Sequence, residues 1–367
     1  MGTPRGQSHN NTDTQDLETN VEECNLALIP NKEHSRDDCI EAKHKELESW
    51  KKFEAYREVE DSGQDRLSHR WVLLEKEIDG KRFVKARLVC GGFEETISIQ
   101  SDSPTGSKET LHILLAIAAA NSWDISSLDV KNAFLQGEKL NRRVYMGPPS
   151  EMKKPGKVWL ILKSVYGMND AGRRWYFRVK SCLETLGCSQ SKLDPCLFFL
   201  HRHGKVSGIL IIWVDDFFYS GDQYFKNEVI KRLETKFQIG RTMHNNFVYT
   251  GLEIEKNHDG ISVNQIRYSE KIRPVVLKGV IKSRPLDKEE KTLLKRLTGQ
   301  INWMATQTRP DVSFTVVELS VMFKAPILED LKQANRTISK LSSEPTKVIF
   351  PKLGQNLRLI VFSDAAF

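Results

Sequence analysis

The alternation of apolar and polar residues separates a polar leader, a central part with strand-like periods and a last third with helical periods. Residues 1–36 are rich in Asn, Thr, Gln and Glu, and this composition predicts a disordered leader. From Asp37 a rough apolar stripe recurs at helical spacing as far as Tyr56. Folded structure is therefore predicted to begin with a helix near residue 37.

Short apolar runs between turn residues predict strands in the central part of the chain. Residues 71–78 and 81–90 flank Asp79-Gly80, a dipeptide that favours a two-residue hairpin turn. Further strands are predicted over residues 124–128, 143–147 and 157–163, on both sides of 202–205, on both sides of 259–260, and over 357–362.

Longer runs with helical spacing predict helices between and after these strands. They cover residues 108–121, 170–186, 223–237, 287–307, 311–323 and 328–342. Gly187 follows the second of them, in the position where glycine often ends a helix. Helices that pack on an antiparallel sheet predict the α+β fold class.

The length and charge of the chain limit its class. The chain has 367 residues, enough for roughly two to three domains of about 150 residues. Residues 1–70 contain 10 Lys and Arg against 16 Asp and Glu, so the remainder carries 45 against 32, a net charge of +13. A basic body of this kind indicates a polyanionic partner such as nucleic acid, although net charge alone also fits an ordinary basic protein.

The cysteines and the hydropathy of the chain indicate an intracellular protein. The six cysteines include no CxxC pair and have no accompanying histidine cluster, which favours reduced thiols over disulfides or a zinc site. No secretory signal pattern opens the chain, and no apolar run approaches the roughly 20 residues of a membrane span. A protein that is not secreted and has no membrane partner is therefore expected.

Asp215 and Asp216 form the most informative chemical feature, because they lie between two strongly apolar strands. Like charges in such surroundings usually require a metal ion, although many Asp-Asp pairs are simply solvated hairpin tips. Asp129 ends another predicted strand and could join them, or it could be a helix N-cap or an ordinary strand end. Three convergent carboxylates suit two-metal phosphoryl transfer, and at this level a nuclease and a polymerase fit equally well.

Several short motifs occur in an order and spacing that resemble the reverse transcriptase of copia-type LTR retrotransposons, across about residues 40–367. The motifs are Lys85-Ala86-Arg87-Leu88-Val89, Leu128-Asp129-Val130-Lys131-Asn132-Ala133-Phe134, Lys163-Ser164-Val165-Tyr166-Gly167-Met168, Arg174-Trp175-Tyr176, Val214-Asp215-Asp216, Thr308-Arg309-Pro310-Asp311 and Ser363-Asp364-Ala365. Each motif alone is a weak signal, whereas the ordered series is specific.

The resemblance implies a right-hand polymerase fold with an antiparallel palm sheet. Fingers and palm, with a primer-grip hairpin, would cover residues 37–272, and thumb or connection helices 273–342. Residues 343–367 would begin a truncated RNase H-like domain. The resemblance also adds a virus-like particle or the nucleus to the cytoplasm as locations.

The resemblance further implies the metal site. Asp129, Asp215 and Asp216 would be the catalytic metal ligands, and Val130 would add its backbone carbonyl. Two Mg²⁺ ions, replaceable by Mn²⁺, would be the cofactors.

Residues for the incoming nucleotide follow from the same motifs. Lys85 and Arg87 would hold the triphosphate of the dNTP, although charges on an edge strand also protect it from aggregation. Phe134 would exclude ribonucleotides by a clash with the 2′-hydroxyl; without the resemblance it reads as a core phenylalanine. Tyr166 and Gly167 would line the nucleotide pocket and template.

An RNA template and a DNA or RNA primer would be the macromolecular partners. Phe247, Tyr249 and Gly251 lie in a segment similar to the primer grip, while Gly299 and Trp303 lie in one similar to the thumb helix that follows the minor groove. Outside the family, Trp303 is more simply explained as a core residue.

The chain departs from the family pattern near the fingers motif and at the RNase H-like segment. Asp364 matches the first RNase H carboxylate, but the other acidic ligands are missing, so no RNase H activity is predicted. Cys90-Gly91-Gly92-Phe93 stands where the family usually has Ala-Arg-Gly-Phe, so a fingers arginine is lost. Two hypotheses follow: an RNA-directed DNA polymerase, or an impaired retrotransposon remnant that only binds template–primer.

Overall fold

The computed structural model describes residues 27–78, 81–279, 281–353 and 360. These residues form two compact units, and the division falls between Asn245 and Asn246. The interpretation from sequence put a boundary after residue 272, and the hairpin that it assigned to the palm lies in the second of these units.

The first unit begins earlier than predicted. Strand β1 (Ala27–Leu28) pairs with β3 (His69–Ile78), and a 3₁₀ turn covers Asn31–Glu33. Ile29 is buried and its N–H donates to the carbonyl oxygen of Leu73 at 2.9 Å. The predicted disorder is therefore wrong for residues 27–36, because a short apolar run there adds to a sheet edge; residues 1–26 lie outside the described part.

Two small antiparallel sheets occupy the first part of this unit. β3 pairs along its whole length with β4 (Lys81–Cys90), and helix α1 (Asp37–Lys52) packs on β4. The second sheet has the order β2 (Tyr56–Glu60), β7 (Lys157–Lys163), β6 (Lys139–Met146). The predicted hairpin is confirmed in its pairing, since Ile78 lies opposite Lys81; residues 79 and 80 of its turn are outside the described part.

A six-stranded antiparallel sheet forms the centre of the first unit. Its order is β12 (Ile239–His244), β5 (Ile125–Val130), β11 (Asp216–Gly221), β10 (Lys205–Trp213), β9 (Leu197–Arg202) and β8 (Ser189–Gln190). The helices are α2 (Lys108–Ala120), α3 (Ala171–Thr185), α4 (Gln223–Phe225) and α5 (Lys231–Lys236), with a π-helical turn over Lys226–Ile230 between the last two. The largest core cluster lies between one sheet face and α3, α4 and α5.

The second unit combines a four-stranded sheet with helices. β13 (Asn246–Tyr249), β14 (Leu252–Asn257), β15 (Gly260–Asn264) and β16 (Val348–Pro351) pair in that order, all antiparallel. The helices are α6 (Ile266–Lys271), α7 (Lys288–Gln307), α8 (Ser313–Val321) and α9 (Leu328–Ser343). A capping box between Asp287 and Glu290 fixes the start of α7.

The predicted mixture of helices and antiparallel strands is confirmed in both units. Most predicted helices agree with the structure to within one or two residues. The helix predicted over 311–323 is shorter as α8, because Pro310–Val312 and Met322–Lys324 are 3₁₀ turns. The strand predicted over 357–362 falls almost wholly on residues that the structure does not describe.

Candidate active site

The β10–β11 hairpin carries two of the three predicted carboxylates. Trp213 lies opposite Asp216, so Val214 and Asp215 form a two-residue turn. Val214 has a φ of 57°, and a positive φ at the first turn position is typical of tight hairpins. The turn places Asp215 at the tip and Asp216 at the first position of β11.

Strand β5 lies beside β11 and brings the third carboxylate. Asp129 is the direct cross-strand partner of Asp216, so their side chains share one face of the sheet. The N–H of Val130 donates to the carbonyl oxygen of Asp215 at 2.9 Å. Asp129, Asp215 and Asp216 thus occupy adjoining positions at one end of two neighbouring strands.

The surroundings of Asp129 and Asp215 raise the pKa of both carboxyl groups. Burial raises the pKa of Asp215, while the nearby Lys85 and Arg87 lower it in part. Burial also raises the pKa of Asp129, and the negative charge of Asp215 raises it further. Both acids therefore hold a proton more tightly than an ordinary aspartate, because the loss of hydration on burial outweighs the attraction of the nearby cations.

A divalent cation fits the donor chemistry of this site. Carboxylate oxygens are the ligands that Mg²⁺ prefers, and such an ion would relieve the repulsion between Asp129 and Asp215. Across the described residues, no three His, Cys, Asp or Glu side chains already form a metal-binding cluster. The side chains are thus adjacent but do not enclose a ready coordination sphere.

Three cations lie on one face of the β3–β4 hairpin. Lys85 faces Leu74 and Arg87 faces Val72 across the two strands, and Lys76 lies two residues beyond Leu74 on the same face. Lys76 is only 6% exposed. Burial, together with Lys85 and Arg87, lowers the pKa of Lys76 to about 7.

These cations and the carboxylates share one electrostatic environment. Asp129 and Asp215 favour the charged form of Lys85, although burial lowers its pKa overall. Lys76 was missed in the sequence, where it stands in an ordinary run of alternating Glu and Lys residues. Only the pairing of β3 with β4 reveals that it joins Lys85 and Arg87.

Arg87 connects the cations to an aromatic pair. Its guanidinium lies over the ring of Tyr166, 5.0 Å from the centroid, and Tyr166 meets Phe134 edge-on at 5.1 Å. Glu46 of α1 is a nearby buried carboxyl group that accepts from Trp50 Nε1 at 3.0 Å, and burial raises its pKa. The structure therefore brings together Phe134, Tyr166 and Arg87, as the sequence interpretation requires, and adds Glu46, which that interpretation missed.

Gly167 lies against the end of β4. It has a φ of 89°, and a Cβ at this position would lie 2.1 Å from the carbonyl oxygen of Cys90. Next to it, the N–H of Cys90 donates to the carbonyl oxygen of Tyr166 at 2.7 Å. Gly167 is thus required by backbone approach, which is a structural reason for glycine in addition to the predicted pocket role.

Gly240 of β12 is a second neighbour that the sequence did not indicate. The register between β12 and β5 shifts between Ile239 and Thr242, so Gly240 lies in a bulge beside Asp129. A Cβ on Gly240 would lie 2.2 Å from Oδ2 of Asp129. The absence of a side chain at Gly240 therefore makes room for the Asp129 carboxylate.

The residues predicted to contact the primer lie in the second unit. Phe247 and Tyr249 are 6% and 3% exposed, so these side chains belong to the core of that unit. The alternation of β13 turns both side chains inward, and their role at the primer stays a prediction. Gly251 has a φ of 79° and forms, with Thr250, the two-residue turn between β13 and β14.

Gly299 and Trp303 lie four residues apart on α7 and so share one side of the helix. A Cβ on Gly299 would meet open space, and Trp303 is half-buried. This surface is therefore accessible, as a minor-groove contact would require. Asp364 is outside the described residues.

Comparison with known proteins identifies the protein family. The family described as Reverse transcriptase (RNA-dependent DNA polymerase) matches residues 53–278, more than half of the chain. The chain therefore belongs to the reverse transcriptase family. In the structure described here, the matched region includes all three carboxylates and the three cations.

The relatives of the chain are retrotransposon polyproteins, which confirms the copia-type resemblance. The chain is 29% identical over 321 residues to the Retrovirus-related Pol polyprotein from transposon RE1 of Arabidopsis thaliana, and 30% identical over 320 residues to that from transposon RE2. It is 28% identical over 327 residues to the one from transposon TNT 1-94 of Nicotiana tabacum.

The alignments cover most of this chain but little of the relatives. They span 81%, 81% and 79% of the chain, against 22%, 22% and 24% of the respective polyproteins. The chain thus spans about a fifth to a quarter of the length of these relatives. Within the described residues, no helix is both long and apolar enough to cross a membrane.

Proposed function

We propose that this chain is an RNA-directed DNA polymerase that extends a primer on an RNA template. In the proposed step the primer 3′-oxygen bonds to the α-phosphorus of a dNTP. The bond between that phosphorus and the oxygen that bridges the α- and β-phosphates breaks, and pyrophosphate leaves. The observation that carries the proposal is the cross-strand pairing of Asp129 with Asp216 beside Asp215, in one electrostatic environment with Lys76, Lys85 and Arg87.

Asp129, Asp215 and Asp216 would hold two divalent ions, with the Val130 carbonyl as a further oxygen ligand. The chemistry that such ions supply when bound is activation of the attacking oxygen and stabilisation of the leaving oxygen. The raised pKa values of Asp129 and Asp215 support this assignment, because a site built for cations is destabilised when its own charges stand alone.

Lys76, Lys85 and Arg87 would bind the triphosphate. A triphosphate carries several negative charges, and a guanidinium is suited to bidentate contact with phosphate oxygens. The Nε of Arg87 is buried and makes no hydrogen bond to the described residues, so that group has unused donor capacity. Binding of an anion here would also favour the protonated form of Lys76.

Phe134 and Tyr166 would form the side of the pocket that faces the sugar. Phe134 is half-buried and its ring is braced by an edge-on contact with Tyr166, whose own ring lies under the Arg87 guanidinium. A braced aromatic ring is a rigid steric barrier, which is what discrimination against a 2′-hydroxyl needs. In the second unit, Gly299 and Trp303 would approach the minor groove of the template–primer duplex.

The test is extension of a labelled primer on an RNA template by the purified chain, with Mg²⁺ or Mn²⁺. We expect extension by the unaltered chain and a loss of roughly 10³-fold in Asp129→Asn, since removal of a metal ligand forfeits several kcal/mol of stabilisation. The matched control is Asp259→Asn, which alters a 92%-exposed hairpin aspartate of the second unit and should leave extension unchanged.

A binding-only protein is the other outcome that the test distinguishes. In that case folded protein would bind a fluorescent template–primer, with affinity that falls steeply as salt rises, but would incorporate no nucleotide. Gly91, in the position of the missing fingers arginine, is the observation that favours this outcome. Binding without extension under both metals would reject the polymerase proposal.

A further inference from the structure

The turn that carries Asp215 is strained. Val214 adopts a φ of 57°, and a β-branched residue is disfavoured in the left-handed region because its side chain crowds the backbone. Two-residue hairpin turns usually place glycine, asparagine or aspartate at such positions. Something outside the turn must therefore hold the Val214 backbone in this conformation.

Trp175 of α3 supplies that contact. Its indole Nε1–H donates to the carbonyl oxygen of Val214 at 2.6 Å. Trp175 is 1% exposed and its ring is fixed on two sides, parallel to Phe217 at 6.4 Å and edge-on to Phe237 at 5.0 Å. The donor thus comes from a side chain with little freedom to move.

The other carbonyl of the turn is also held from outside. The Asp215 carbonyl oxygen accepts from the N–H of Val130, the residue after Asp129. The two successive turn carbonyls are therefore tied to two different elements, α3 and β5. Because a peptide plane that is held by its oxygen cannot rotate, these bonds fix the direction in which the Asp215 side chain leaves the backbone.

We propose that Trp175 is a positioning residue, which holds the strained Val214 peptide so that the Asp215 carboxylate stays beside Asp129. The proposal rests on the proposed function, in which these two carboxylates bind the same pair of ions. Trp175 itself touches neither substrate nor metal. Its contribution comes from one indole hydrogen bond, separate from the packing of its ring.

Trp175→Phe tests this, because it removes the N–H and keeps an aromatic ring in the core. We expect Mn²⁺ binding, followed by electron paramagnetic resonance of the free ion, to weaken roughly tenfold. In primer extension we expect kcat to fall about ten- to a hundredfold, as small misplacements of reacting groups do, with little change in the KM for dNTP.

The matched control is Tyr176→Phe, in the next residue of the same helix. Tyr176 is 4% exposed, and its hydroxyl donates to the carbonyl oxygen of Pro195 at 2.8 Å. That variant also removes a buried side-chain donor from a backbone carbonyl, but at a loop that carries none of the three carboxylates. It should lose less thermal stability than Trp175→Phe, which also shrinks a buried ring packed on Phe217 and Phe237, and it should retain Mn²⁺ affinity and kcat.

A second-site variant separates positioning from packing. Glycine adopts a positive φ without steric cost, so adding Val214→Gly to Trp175→Phe should restore a large part of the Mn²⁺ affinity without restoring core packing. Failure of that rescue, or equal Mn²⁺ loss in Tyr176→Phe, would overturn the proposal. If the unaltered chain binds Mn²⁺ but extends no primer, the proposed function fails, while the Mn²⁺ measurements still decide the role of Trp175.

Discussion

Two hairpin turns of this protein have the same length and the same acid, yet they differ in almost every physical respect. Val214-Asp215 joins β10 to β11, and His258-Asp259 joins β14 to β15. Asp259 is 92% exposed, and its neighbour His258 is 97% exposed. Asp215 is partly buried, close to a second carboxylate and three cations.

The two turns also differ in what stabilises them. In the exposed turn, the side chain of Asn257 accepts from the N–H groups of Asp259 and Gly260 at 3.0 and 3.1 Å, so the support is local. In the buried turn the support comes from Trp175 and Val130, which are distant in sequence. The chemical role of an aspartate in a hairpin turn therefore depends on its tertiary neighbours, and its local sequence is a poor guide to that role.

Of the variants that compare the two turns, the one with the largest expected effect adds a methyl group beside the buried turn. Gly240→Ala would place a Cβ where the Asp129 carboxylate now lies, and the carboxylate can rotate away at little structural cost. We expect primer extension to fall roughly a hundredfold, since a displacement of about 1 Å has effects of that size. The melting temperature should change by only a few degrees. Gly147→Ala, where a Cβ meets open space, is the control for an added methyl group; equal losses in both variants would contradict this account.

A second prediction concerns Lys76, one of the three cations near the buried turn. Since Lys76 has a pKa of about 7 before an anion binds, it is mostly neutral at pH 8.5. A bound triphosphate should restore its charge, so dNTP binding at that pH should take up about one proton. Calorimetry of a template–primer complex in two buffers of different ionisation enthalpy measures this uptake. Lys76→Met should remove most of it and weaken dNTP binding about tenfold, whereas Lys256→Met, on β14, should change neither. Unaltered uptake in Lys76→Met would assign the proton to another group, such as Lys85.

A third prediction compares stability in the absence of metal. The folded state raises the pKa of Asp215 above its value in the unfolded chain, so its charged form destabilises the fold. This penalty is fully present above the folded pKa and disappears as pH falls toward the unfolded value. In EDTA at pH 8, Asp215→Asn should therefore melt higher by a few degrees, and the gain should shrink as pH falls through the folded pKa of Asp215 toward its unfolded value. Asp259→Asn should show no gain at any of these pH values, and an equal gain would mean that burial does not set the difference.

The buried turn also shows how far the sequence alone leads. The apolar flanks of Asp215-Asp216 and the end of the strand at Asp129 were sufficient to predict a convergence of carboxylates, because strand periodicity is local information. Lys76, Glu46, Gly240 and Trp175 were not recognised as neighbours of the site. Each reaches it through a pairing of strands or a helix contact that no local pattern specifies.

The second unit shows what the alternation of a strand leaves undetermined. The alternation in Asn246-Phe247-Val248-Tyr249 predicts that Phe247 and Tyr249 share one face, and they do. Which face is buried depends on the elements that cover β13, and the local pattern does not specify those elements. The division between Asn245 and Asn246 has no local signal for a related reason, since β13 follows β12 almost without a break and only the sheet order separates them.

The smallest expected effect tests the local support of the exposed turn. Asn257→Ala removes an acceptor for two backbone N–H groups, but water can replace it at this exposed tip, so the cost should be about 0.5–1 kcal/mol. Thermal melts should reveal this loss, while primer extension and Mn²⁺ binding should not change. Trp175→Phe removes the hydrogen bond to the Val214 carbonyl and should reduce both primer extension and Mn²⁺ binding. If Asn257→Ala reduced extension as strongly as Trp175→Phe, the contrast between a turn supported by its own sequence and a turn supported by distant residues would be false.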